Sequence, residues 1–358
     1  MTGIERIGRI LDLKPADRIG LYEHFWGDTC KKWQEQGKVG GQETLADHFG
    51  FDMDGVNPFN LYADIDFIDE VLEETNETIL KKDGNGAILR THKLHSATPE
   101  HVDFTVKERL QWEKIKPLLM PSEKRIDFND YLKQKRECSD RNRFFMTKSP
   151  HAFELMKNVC GHEYMLMGMA LDPDWVRDMA DTYAEMYIGL FEILFARCGK
   201  PDGIWFYEDM GFKERPFMSP QMYREIMLPA HKKTFDYIHS LGCRVIVHSC
   251  GFVEPLVPYM IEAGMDCLQV IEVKAGMDVL RLKKNFGSRI ALCGGMDARN
   301  LVANDIDAVR KELHQKIPEL MKGGGYIFHS DHSIPDQVDY DTYRYFVNEG
   351  LKIGSAGN

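Results

Sequence analysis

From about residue 140 onward the chain alternates between short runs rich in β-branched and aromatic residues and longer stretches of helical period. The runs are RFFMT, GIWFYED, CRVIVHSC, CLQVIEV, RIALCGG and GGYIFHS. Between them lie stretches such as DPDWVRDMADTYAEMYIGLFEILFARC, SPQMYREIMLPAHKKTFDYIHSL and NDIDAVRKELHQKIPELMKG, capped by Asp172, Ser219 and Asn304 or Asp305. Strand alternating with helix this regularly predicts parallel neighbours, because each helix carries the chain back to the same edge of the sheet. Adding RIGLYEHFW near the N-terminus makes seven runs, close to the eight of a closed barrel, and no Gly-x-Gly-x-x-Gly turn follows any of them. The expected fold is an α/β TIM barrel, (β/α)8, with residues 1–358 as a single domain.

Residues 40–140 break the pattern. ETILKKDGNGAILRTH reads as a β-hairpin turning over Asp83 to Gly86, and the polar helical stretch TVKERLQWEKIKPLL follows it. This region is expected to be an insertion or cap between the first and second barrel strands.

The charge balance narrows the partners. With 45 basic and 56 acidic residues the net charge is −11, and no basic block offers a surface for nucleic acid or an anionic membrane. MTGIERIGRILDLKPADRIG lacks the apolar core of a secretion signal, and YMLMGMAL is too short to span a bilayer, so a soluble, cytoplasmic protein is expected. The eight cysteines show no disulfide spacing, which leaves reduced thiols or metal ligands. Met165, Met167 and Met169 read as adaptable core filling.

In a parallel barrel the working face is the C-terminal end of the strands, and here those ends are rich in acids and ligands. The first run ends in Glu23 and His24, GIWFYED in Glu208 and Asp209, and CRVIVHSC in His248 and Cys250. Side chains two apart on a strand share a face, so His248 and Cys250 either project together as two metal ligands or mark where a strand stops. A catalytic zinc needs three protein ligands and one open position, and His332 in HSDHSIP can complete the set. Glu208 and Asp209 face opposite sides of their strand, so one can reach the pocket while the other caps or pairs within the wall. With His24 they are the candidate catalytic residues. Trp26, Tyr207, Gln269, Asp297 and His329 are candidates for the substrate pocket, which the aromatic residues suit to a flat or apolar ligand. GGGY at 323–326 precedes a strand, so it reads as a helix end entering a tight turn rather than a phosphate loop.

WFYEDMGFKERPFMSPQMYREIMLPAHKKTFDYIHSLGCRVIVHSCGFVEPLVPYMIEAGMDCLQVI resembles the uroporphyrinogen decarboxylase superfamily, as do AGMDVLRLKKNFGSRIALCGGMDARNLV and GGGYIFHSDHSIPDQVDYDTY. The resemblance runs in order through residues 140–355 and implies a single (β/α)8 barrel. Porphyrinogen decarboxylases carry Arg-Gln-Ala-Gly-Arg after the first strand, where this chain has EHFWGDTCKKWQEQG. The corrinoid-linked methyltransferases of the superfamily bind zinc through His-x-Cys and a distant Cys. His248 and Cys250 match the first two positions, and His332 stands where the third is expected.

The resemblance therefore implies a zinc-dependent methyltransferase that moves a methyl group between a small molecule and a corrinoid (cobalamin) held by a partner protein. Two imidazoles and one thiolate make a harder zinc site than several thiolates, which points to a methyl ether or methanol type donor. A homodimer is a candidate assembly. Two other readings stay open: a metal-free decarboxylase or lyase on a carboxylated substrate, and a non-catalytic corrinoid- or tetrapyrrole-binding protein.

Overall fold

The runs expected to be strands are buried on both faces, as parallel strands wrapped by helices must be. The computed structural model describes residues 1–94 and 98–355. Its strands are β1 Gly20–Leu21, β2 Met53–Val56, β3 Glu70–Glu74, β4 Thr78–Lys82, β5 Ala87–His92, β6 Glu100–Phe104, β7 Phe144–Pro150, β8 Gly203–Tyr207, β9 Arg244–Ser249, β10 Cys267–Val270, β11 Ala291–Gly294 and β12 Tyr326–Phe328. Eight of them form one parallel sheet in the order β1-β12-β11-β10-β9-β8-β7-β2, with helices between successive strands. This is the expected TIM-like barrel. Its two ends meet where Asp52 N donates to Leu21 O at 2.9 Å. The Asp52 carboxylate reinforces that seam, accepting from Leu21 N at 2.8 Å and pairing with Arg6 and Arg18 at 2.6 Å each.

Strand β2 corrects the expected position of the cap. The segment MDGV is short, acidic and glycine-bearing, so it carries no apolar run to mark it in the sequence. Gly55 is needed there: a Cβ at this position would lie 2.1 Å from Met146 O on β7. Because β2 belongs to the barrel, the inserted sheet follows the second barrel strand rather than the first. That sheet is antiparallel, in the order β3-β4-β5-β6. Its central hairpin turns over Asp83 to Gly86, with the Asp83 carboxylate accepting from Asn85 N and Ala87 N at 2.9 Å.

The helix caps follow local chemistry. Asp172 accepts from Trp175 N ahead of helix Pro173–Cys198, and Ser219 accepts from Met222 N. Asp305, rather than Asn304, caps helix Ile306–Met321. Glycines 323, 324 and 325 all have φ near +75° between that helix and β12, a turn that side-chain-bearing residues adopt only with strain. Helix Ala152–Leu171 has no such local signal, since His151 at its N-cap makes no side-chain cap bond. Met165 and Met169 fill the core, whereas Met167 is 50% exposed. All eight cysteines are unpaired, and among the described residues no helix is long and apolar enough to cross a membrane.

Candidate functional site

The loops that leave β8 and β9 run against each other. Phe252 N donates to Phe212 O at 2.7 Å, and Gly251, at φ +75°, packs so tightly that a Cβ would lie 2.3 Å from the Gly211 carbonyl carbon. This contact sets Asp209 beside the His-x-Cys pair. Asp209 Oδ1 lies 3.1 Å from His248 Nε2 and accepts from Cys250 N at 3.2 Å. One ligand atom each from Asp209, His248 and Cys250 lies within 4.8 Å of the other two. His248 Nδ1 donates to the Gln269 side-chain oxygen, which keeps a proton on Nδ1 and turns Nε2 to the cluster.

The charges in this cluster are mutually dependent. Burial raises the Asp209 carboxyl, but the His248 imidazole more than offsets this and holds it well below the usual carboxylate range. Burial lowers His248, yet Asp209 brings it above its ordinary value. Burial and the carboxylates of Asp209, Glu272 and Glu154 push the Cys250 thiol far up. The cluster as it stands thus favours protons on His248 and Cys250, positions that a divalent cation would take over. One carboxylate, one imidazole and one thiol fit a tetrahedral zinc with a fourth position free.

His332 does not join this group. In the sheet order β8 is next to β9, while β12 is three strands away, so the neighbour of the His-x-Cys pair is an acid from β8. His332 is half-buried, and its titration is influenced by burial, Lys274 and Glu272.

Glu208 points the other way, into the barrel wall, and has no access to substrate. Its Oε1 accepts from His231 Nε2 at 2.6 Å and Phe153 N at 3.1 Å, with His151 Nδ1 at 3.3 Å, and its Oε2 accepts from Glu154 N at 3.0 Å. It is the tertiary cap of helix Ala152–Leu171. Burial opposes the charge, but the two imidazoles outweigh it and bring the carboxyl down to about 2. His151, Glu208 and His231 also lie close enough to hold an ion, but His151 Nε2 is engaged by the Thr234 hydroxyl and His231 Nδ1 by Tyr223, leaving a satisfied buried network.

A second polar group occupies the β1 and β12 ends. Gln269 Nε2 lies 3.3 Å from His329 Nε2, linking this group to His248. His329 Nε2 also lies 3.2 Å from His24 Nδ1 and 3.1 Å from Glu23 Oε1. His24 borders a cavity of about 500 Å³ that Tyr22, Glu23, Asp54 and Lys148 also line. Tyr207 lies between the two groups, its ring centroid 5.3 Å from that of His248 and its hydroxyl 3.4 Å from His24 Nε2.

The remaining candidates separate. Asp297 is the cap of helix Ala298–Val302 and pairs with Arg299, so it serves a turn. Trp26 is half-buried at the start of helix Gly27–Glu35, where its N–H donates to Ile334 O. Sequence reasoning passed over Glu154, whose buried Oε1 has no hydrogen-bond partner among the described residues. Burial, then Asp209, pushes its carboxyl up to about 7. Its position just beyond the end of β7 was the available signal.

A family model described as "Uroporphyrinogen decarboxylase (URO-D)" matches residues 152–350. The chain is 24% identical over 152 residues to a methylated-thiol--coenzyme M methyltransferase of Methanosarcina mazei, covering 42% of this chain and 38% of that protein. It is 27% identical over 121 residues to a uroporphyrinogen decarboxylase of Pseudomonas entomophila, covering 31% of this chain and 33% of that protein. Each match spans well under half the length of its curated relative. A solved structure described as a methyltransferase from Methanosarcina mazei shares the fold, with a TM-score of 0.66 at 15% identity over 98% of this chain and 99% of that one.

Proposed function

The chain belongs to the uroporphyrinogen decarboxylase family, and from that premise we propose that it is a zinc-dependent, cytoplasmic methyltransferase moving a methyl group between a small methyl donor and a corrinoid carried by a partner protein. The observation that carries this reading is the Asp209–His248–Cys250 cluster at the barrel mouth. Zinc held there supplies a Lewis acid that draws charge from the donor heteroatom. Asp209, His248 and Cys250 are the residues that would hold it, and Gln269 keeps the His248 ring in the orientation this requires. With a single thiolate among three donors the site remains hard, which supports a methyl ether or methanol type donor over a thiol.

Purified protein supplied with zinc, reduced cobalamin and a panel of methyl ethers, methanol and methylated thiols tests the proposal by the formation of methylcobalamin. Transfer from the oxygen donors that disappears in Cys250→Ala supports it. Full activity in Cys250→Ala, or no transfer from any donor, rejects it.

The buried Glu23–His24–His329 group supports a second reading, metal-free acid–base chemistry on a carboxylated substrate. Release of carbon dioxide from a carboxylic acid by metal-free protein distinguishes it.

A further inference from the structure

A glutamine amide carries an acceptor and a donor on one short arm, so a half-turn about its last bond exchanges what it offers to its two neighbours. Gln269 is fully buried between the imidazoles of His248 and His329, and the way its amide faces decides which nitrogen of His248 keeps a proton. Asp209 does not make that choice in favour of a metal. It lies 3.1 Å from His248 Nε2, and a carboxylate there favours a proton on the nitrogen that would have to bind the ion. The opposite preference has to come from the far side of the ring.

His248 and Gln269 are partners in the register of β9 and β10, so their side chains leave neighbouring strands at the same level. The Gln269 oxygen meets His248 Nδ1, and Gln269 Nε2 lies 3.3 Å from His329 Nε2, just beyond the end of β12. His329 Nδ1 is 2.6 Å from the Ser330 carbonyl oxygen, which can only accept, so that nitrogen carries a proton. Burial draws the His329 ring down to about 3 and so keeps it neutral, which leaves Nε2 with a lone pair and no hydrogen.

The other neighbours of His329 Nε2 agree with this state. His24 Nδ1, at 3.2 Å, presents an N–H, while His24 Nε2 accepts from the Tyr22 or Tyr207 hydroxyl at 3.2 and 3.4 Å. Glu23 Oε1, at 3.1 Å, already accepts from the His24 amide and the Ser330 hydroxyl at 3.0 Å each. Burial pushes the Glu23 carboxyl up to about 8, so at neutral pH no full negative charge draws a second proton to His329. Whichever donor shares the lone pair, an amide oxygen turned towards it would be repelled.

We propose that His329 is a positioning residue for the metal centre: it turns the Gln269 amide so that the oxygen faces His248, which keeps the proton on Nδ1 and leaves Nε2 as the nitrogen that a divalent cation takes. This rests on the zinc reading of the Asp209, His248 and Cys250 cluster and deepens it. His329 acts on the ion without touching it, through one buried side chain.

Two measurements on the full chain decide it. The first uses zinc-free wild type and needs no activity: two-bond ¹H–¹⁵N correlation spectra of protein labelled at histidine, with the His329 signals identified by their loss in variants. At neutral pH His329 should show a protonated Nδ1 and a bare Nε2. An imidazolium, or a proton on Nε2 alone, overturns the proposal.

The second compares zinc affinity, by competition with a chromogenic chelator, in wild type, Gln269→Leu, His329→Phe and the double variant. Phenylalanine keeps a ring in the buried site but offers no acceptor, so the amide is free to turn. His329→Phe should bind zinc roughly 10-fold more weakly than wild type. The double variant should bind no more weakly than Gln269→Leu alone, because both changes act on the same link. Losses that multiply in the double variant, or unchanged affinity in His329→Phe, overturn the proposal. His329→Gln, whose amide oxygen can accept from Gln269 in place of the ring, should keep most of the affinity, and it carries the test if His329→Phe folds poorly. A loss in His329→Gln as large as that in Gln269→Leu counts against the proposal. Wild type that takes up no zinc rejects the metal reading and the proposal with it, whereas zinc-binding wild type with multiplying losses rejects the proposal alone.

Discussion

Glu208 and Asp209 are adjacent in sequence and are turned to opposite sides of the barrel wall as β8 ends. Glu208 enters a sealed network with His151 and His231, and Asp209 meets His248 at 3.1 Å at the mouth. The two acids therefore differ in what their removal should do.

Glu208→Gln should destabilise the fold by about 3 kcal/mol, since it removes the charge from a buried group with two imidazole and two backbone partners. The carboxyl of the folded protein, at about 2, lies below its ordinary value of 4.5, so the stabilisation is fully present above pH 4.5 and is lost as pH falls towards 2. Urea unfolding followed across that window should show the slope in wild type and a smaller one in the variant, with zinc content unchanged. A variant of wild-type stability that has lost its metal would contradict the assignment.

Asp209→Ala and Cys250→Ala should each reduce zinc affinity by on the order of 10²-fold or more, while His332→Ala should retain the metal. Zinc binding should also weaken as pH falls, because His248 and Cys250 must give up protons to it. Elemental analysis of the purified variants checks the first point. Zinc lost in His332→Ala and kept in Asp209→Ala would restore the ligand set expected from the sequence.

Gln269→Leu should lower zinc affinity by roughly 10–100-fold without removing a ligand, because the amide oxygen fixes the tautomer of His248. Competition with a chromogenic chelator measures this, and an unchanged affinity would show that the ring needs no such support.

Asp52→Ala should cost about 3 kcal/mol, since it takes the carboxylate from Arg18 and from the Leu21 amide at the barrel seam and leaves Arg6 with Asp17 as its remaining acidic partner. Hydrogen exchange should speed up most at the Leu21 amide, which donates to that carboxylate. Uniform acceleration across all strands would mean that the seam has no local role.

The barrel was legible in the sequence wherever a strand announced itself by an apolar run, from Phe144 through Phe328. Strand β2 escaped because Asp52, Asp54 and Gly55 serve the seam and a close backbone approach, and such residues do not read as a strand. Helix Ala152–Leu171 escaped because its cap, Glu208, is more than fifty residues away in the chain. The His-x-Cys pair was visible because a period of two along one strand is a local property.

What the sequence determined by itself was therefore the alternation that builds a parallel barrel, the strand ends that carry its polar residues, and the pairing of His248 with Cys250. Only the tertiary structure decided that Asp209 stands beside that pair while His332 does not, that Glu208 belongs to the wall, and that Glu23, His24 and His329 meet. The reason is physical: neighbours within a strand follow from backbone period, but neighbours between strands follow from sheet order and from which loops pack together. Here the contact of Gly211 with Gly251 and the register of β1 with β12 make those choices.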